Sequence, residues 1–173
     1  MACRRPSGRG LLPRLNERQF RAEAERLTRA TRLVAACVTT AHITSLRDPG
    51  SFVIAARLGR GEPARLRGSA NLGLRVDELW QRTNDERWDL RYRYSILRSD
   101  TQHEILSFHR HGSNRPHLHL GAGAGELFEP LYKAHVPTGP VALTEVVLML
   151  VRDFGVEPLR ADWETVLEAE RRD

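Results

Sequence analysis

The chain has 173 residues, 40% apolar and 28% charged, a balance that fits one globular domain with a sizeable core and argues against a disordered or fibrous chain. No apolar run approaches the ~20 residues that span a bilayer. The longest is Val146 to Val151, so no membrane partner is expected. The formal charge of +5 favours a polyanionic partner such as nucleic acid, although only Lys133 among the 27 basic residues is a lysine, and that arginine skew also fits a coding bias.

The opening MACRRPSGRG is basic and contains Gly and Pro. It is predicted as a disordered arm over residues 1–15, leaving one α+β domain over 16–173. No apolar segment follows the first arginines as a secretory signal requires, and Glu17, Glu23 and Glu25 speak against a transit peptide. Cys3 and Cys37 do not make a disulfide framework, so a reducing cytoplasm is the expected compartment.

Residues 16–30 read as a helix capped by Asn16, with Phe20, Ala24 and Leu27 at helical spacing. From Leu33 the pattern turns β-branched (LVAACVTTAHITSL), which predicts a strand with His42 as a core histidine. After the turn Asp48-Pro49-Gly50-Ser51 comes a second strand, FVIAARLG. From Ala64 to Val76, Ala64, Leu66, Ala70, Leu72, Leu74 and Val76 alternate with Arg65, Arg67, Asn71 and Arg75, which predicts a long strand with one buried and one wet face. Residues 77–87 read as a polar connection. A fourth strand, WDLRYRYSIL, follows with Trp88, Leu90, Tyr92, Tyr94 and Ile96 on one face. After a turn containing His103 come EILSFHRHG and PHLHLG. Short hairpin connections throughout predict an antiparallel meander of about six strands.

GAGAG (121–125) reads as a flexible loop without the strand–helix context of a phosphate-binding loop. A buried helix is expected from about Thr144 to Phe154, stopping at Gly155, and a last helix opens at Trp163, a core anchor, with Asp162 as its cap.

Four of the seven histidines fall in two His-x-His pairs on adjacent predicted strands. Side chains alternate across a strand, so His109 and His111 share one face and Leu106 and Phe108 the other; His117 and His119 are likewise opposite Leu118 and Leu120. A five-residue GSNRP loop pairs His111 with His117 and His109 with His119. Extending the same face to the fourth strand pairs Arg93 with His109, Arg91 with His111 and Leu97 with Ile105. Cross-strand Cβ atoms are about 5 Å apart, so the wet face gathers imidazoles and guanidiniums.

Three chemistries fit. RNA cleavage through its own 2′-hydroxyl needs a base, an acid and a cation. Histidine titrates at about pH 6.5 and can serve as base and acid without a metal; arginine matches phosphate; Tyr and Trp nearby could stack bases. In that reading His109, His111, His117, His119, Arg91 and Arg93 are catalytic, Arg65, Arg67, Arg75, Arg110, Arg115 and Lys133 bind nucleic acid, and no cofactor is needed. The second is a non-catalytic basic module binding nucleic acid or protein. The third is a metalloprotein ligated by His109, His111, His117, His119 and His135, disfavoured because Arg91 and Arg93 repel a cation and no carboxylate falls clearly on the same rows. A half-exposed sheet face that happens to be rich in His and Arg is the bland alternative.

The order of YRYSIL, ILSFHRHG, PHLHLG, a loop with Lys133 and His135, and a helix from about Leu143 resembles the small TumE-type toxins of bacterial toxin–antitoxin pairs, and also uncharacterised bacterial proteins with a PHLHLG-like segment. The resemblance covers about a third of the chain, residues 88–150, and departs from the toxins where Ser107-Phe108-His109-Arg110 replaces an Arg-Tyr-Asp-Asn-like run. It implies action on RNA and an antitoxin-like protein partner.

Overall fold

The computed structural model describes residues 16–59, 61–68, 71–83, 85–111, 115–124 and 136–171. The arm over 1–15, Lys133 and His135 lie outside them.

Helix α1 (Glu17–Ala35) starts at a reciprocal cap: Asn16 Oδ1 accepts from the Gln19 N–H at 2.9 Å, and Gln19 Oε1 accepts from the Asn16 N–H at 3.0 Å. It runs five residues past its expected end, through residues that read as strand. Thr28, Thr31, Val34 and Ala35 continue the buried stripe begun by Phe20 and Ala24. Burying that face outweighs the few tenths of a kcal/mol, roughly, that β-branched residues cost a helix. The first strand, β1 (Thr44–Asp48), therefore starts late, and His42 is exposed ahead of it instead of buried in a core strand.

The remaining strands are β2 (Val53–Leu58), β3 (Ala64–Arg65), β4 (Leu72–Arg82), β5 (Trp88–Arg98), β6 (Glu104–Arg110), β7 (His117–Leu120) and β8 (Val136–Pro137). All pair antiparallel in one sheet ordered β1-β2-β4-β5-β6-β7-β8, with β3 beside β2 on the same edge of β4. The fold is α+β as expected, with eight strands among the described residues instead of about six.

Two differences account for much of the change. The predicted strand over 64–76 folds back on itself, pairing Ala64 with Leu74, with Gly68 at φ 128° and Asn71 at φ 48° in the reversal. DELWQR then continues β4 instead of forming a connection. Glu78 and Trp80 extend the inward set Leu72, Leu74 and Val76, and Glu78 is tolerated there because Thr31 Oγ1 and Tyr94 OH both donate to it, the latter at 2.6 Å.

Helices α2 (Leu143–Arg152) and α3 (Trp163–Arg171) join α1 on one face of the sheet. Val34, Val146, Val147, Leu150 and Leu167 pack with Leu74, Val76, Tyr92, Tyr94 and Ile96, and Trp163 packs against this cluster. Tyr92 and Tyr94 stack on each other at 4.7 Å inside the core, and Trp80 and Trp88 belong to a second cluster around Phe20. None of these four rings is on the histidine face, so the expected base-stacking role falls away. The α2 chain ends as Gly155 predicts, with φ 65° there and the Val156 N–H bonded to Leu150 O at 3.0 Å. The Asp162 carboxylate accepts from Arg160 at 2.9 Å through both oxygens. No helix among the described residues is long and apolar enough to cross a membrane.

Candidate functional site: a histidine cluster on the open sheet face

The face of β5, β6 and β7 opposite the helices carries the histidines, as parity requires. Between β5 and β6 the register is the expected one over Tyr92–Ile96, with Arg93 opposite His109. It then shifts, and Leu97 faces Glu104, not Ile105. Between β6 and β7 the pairing differs by two residues from expectation: His109 faces His117 and Ser107 faces His119. An even offset leaves both faces unchanged. What anchors this offset is Gly121, whose N–H continues the ladder to Ile105 O at 2.8 Å. A Cβ on Gly121 would lie 2.0 Å from Glu104 O, so the chain passes here only as glycine.

The rows are thus Arg93–His109–His117 and Ser95–Ser107–His119, with His111 just past the end of β6. Ring centroids lie 4.5 Å apart for His109–His119, 4.9 Å for His117–His119, 5.0 Å for His109–His111 and 5.6 Å for His109–His117. His109 and His117 are only 7% and 8% exposed.

A hydrogen-bonded chain runs behind the cluster. Arg93 Nη2 donates to Glu104 Oε2 at 2.8 Å, Ser107 Oγ donates to Glu104 Oε1 at 2.6 Å, and Ser107 Oγ meets His109 Nε2 at 2.6 Å. The single hydroxyl proton goes to the carboxylate, so His109 Nε2 carries the hydrogen of the next bond. His109 Nδ1 then accepts, and His111 Nε2, 3.0 Å away, donates. His117 Nδ1 lies 2.8 Å from the Arg115 carbonyl, which can only accept; Nδ1 therefore bears the proton and Nε2 the lone pair.

Electrostatics favour the neutral form of His109 and His111. Burial, then the charges of Arg93, His119 and His111, push His109 down to about 3, against a weaker opposing pull from Glu104. Burial, His117, Arg93 and Arg91 lower His111 as well. Burial works against ionising Glu104, but hydrogen bonds from Ser107, Arg93 and Ser95, with the Arg93 charge, hold its pKa below the ordinary value.

The other expected residues divide. Arg91 shares the histidine face, 3.9 Å from Asp89, and its buried Nε has no hydrogen bond among the described residues. Arg75 faces Ser95 and, with Arg93, Glu104, His119 and Gly121, lines a cleft of about 420 Å³. Arg65 has the histidine-face parity and Arg67 follows β3; both are exposed. Arg110 has the parity of Phe108 and is committed to Asp89 at 2.8 Å. Arg115 is exposed, and its backbone, through the His117 bond, is what enters the site.

Glu104 and Ser107 were missed. Ser107 was legible as the residue two before His109 on the same face. Glu104 was not, because its parity is that of Leu106; only the register shift at Leu97 swings it onto the histidine side. No family model matches the chain, and neither do any curated protein or solved structure.

Proposed function

We propose that this face is a toxin-like centre that cleaves RNA. The observation that carries the reading is the gathering of four imidazoles and the Arg91, Arg93 and Arg75 guanidiniums on one side of four neighbouring strands, β4 to β7, beside an open cleft. In the reaction the 2′-oxygen loses its proton to a base and attacks phosphorus. The P–O5′ bond breaks, a 2′,3′-cyclic phosphate remains, and the 5′-oxygen takes up a proton. His111, exposed and neutral, suits the base. Arg75 and Arg91 suit the phosphate, whereas Arg93 is half-committed to Glu104. The compartment is a reducing cytoplasm, and an antitoxin-like protein holds the activity in check.

The test is a labelled single-stranded RNA and its all-deoxy counterpart incubated with purified protein. RNA is cleaved to a cyclic phosphate end and the deoxy strand is not. His111→Ala and Arg75→Ala each lower the rate at least about tenfold. Binding without cleavage supports the basic, non-catalytic module instead, and absence of both binding and cleavage ends the RNA reading.

A further inference from the structure

We infer that His109, His117 and His119 form a binding site for a divalent transition metal, oriented from behind by Ser107 and Glu104 on one side and the Arg115 carbonyl on the other. One ligand atom from each of the three rings lies within 4.8 Å of the others. In a tetrahedral site with metal–nitrogen bonds of ~2.0–2.1 Å the nitrogens stand roughly 3.4 Å apart. The ligand atoms are therefore at most about 1.4 Å beyond ligating separation, a gap that side-chain rotations close.

Three further observations point the same way. First, the Arg115 carbonyl fixes the His117 proton on Nδ1 and puts the lone pair on Nε2, as the outer-shell partner of a ligating histidine does. The Glu104–Ser107 pair plays that part for His109, whose ring exchanges one of its present partners for the metal. Second, the objection that Arg91 and Arg93 repel a cation is weakened, because Arg93 is held by Glu104 at 2.8 Å and Arg91 stands 3.9 Å from the Asp89 carboxylate. Third, three ligands from a rigid strand pair leave a coordination position open, and the cleft bordered by His119, Arg93 and Arg75 adjoins the cluster. An all-imidazole set selects zinc, cobalt, nickel or copper over magnesium or calcium, and an open fourth position is the mark of a reactive site, not a closed structural one. Water or an anionic oxygen completes the set.

The site does not depend on RNA being the substrate. If RNA is cleaved there, the metal replaces the acid expected from the three ligating rings, since a nitrogen bound to metal has no lone pair for a proton, and His111 keeps its role as base.

Metal-stripped full-length protein is titrated with Co(II), followed by its visible d–d absorption, and with Zn(II) by calorimetry. About one equivalent binds with a tetrahedral cobalt spectrum. Affinity falls by at least about a hundredfold in His119→Ala and His119→Gln, and about tenfold or more in Glu104→Gln and Ser107→Ala. His42→Ala, exposed and outside both the cluster and the cleft beside it, leaves it unchanged. Thermal melts confirm that each variant is folded. The proposal is overturned if Co(II) gives no d–d band, or if binding is the same in folded His119→Gln as in the parent. RNA cleavage by protein that takes up no metal sinks this inference and spares the RNA reading; metal uptake with no cleavage does the reverse.

Discussion

Gly121→Ala is expected to lower the melting temperature by roughly 5–15 °C and to scatter the histidine cluster. An alanine Cβ at this position sits 2.0 Å from the Glu104 carbonyl oxygen and 2.9 Å from the Glu104 Cβ. The first of these is backbone, which cannot swing aside as a long side chain would. Relief requires β6 and the segment after β7 to part, which breaks the bond from the Gly121 N–H to Ile105 O. Forced overpacking costs about 1–3 kcal/mol, and a lost backbone hydrogen bond adds about 1 kcal/mol. The parting also moves Glu104 away from Ser107 and Arg93, so Co(II) binding weakens along with stability. A calorimetric melt and a cobalt titration of the same variant check both effects. A Gly121→Ala protein that melts like the parent would show that the β6–β7 register is not held here. Gly139, where a Cβ meets nothing within 4 Å, is the control.

Glu78 governs the second large effect. It is 5% exposed on the inward face of β4. Burial raises its pKa above the ordinary 4.5, and the hydrogen bonds from Thr31 and Tyr94 recover only part of the shift. Because the folded-state pKa is the higher one, the group's contribution to stability is full below the unfolded pKa. It declines as pH rises through the folded pKa. Stability relative to Glu78→Gln is therefore expected to fall from mildly acidic toward alkaline pH, with the glutamine variant overtaking the parent once the carboxyl is forced to ionise in the core. Taking the difference between the two proteins removes the contributions of Glu104 and His109, which are common to both. Glu78→Ala behaves otherwise. It strands the Thr31 and Tyr94 hydroxyls without their acceptor, at about 1–3 kcal/mol each, at every pH. Urea unfolding of the three proteins across a pH series reads all of this. Parallel parent and glutamine curves would place the pH dependence elsewhere.

The two positions show why parts of the fold were illegible. Glu78 reads in the sequence as part of the polar connection over 77–87 that follows a strand ending at Val76. What makes it a strand residue is Thr31, 47 positions away, on a helix whose own last turns also read as strand. Neither misreading is correctable locally, because each depends on the other side of the same contact: α1 continues to Ala35 only because it has a sheet to cover, and Glu78 turns inward only because α1 brings a hydroxyl to it. GAGAG, read as a loop of no special weight, contains the glycine that sets the closest backbone approach at the site.

The sequence by itself determined the two faces. Side-chain direction alternates strictly along a strand, so the separation of His109, His111, His117 and His119 from Leu106, Phe108, Leu118 and Leu120 follows from residue numbers alone, and so do the antiparallel order and the flanking helices. Only the tertiary structure decided which histidine faces which, and that a carboxylate and a hydroxyl stand behind them. Every even pairing offset satisfies the alternation equally well. The choice among offsets came from a glycine packed on a carbonyl and a shift at Leu97, contacts between segments that share no local pattern.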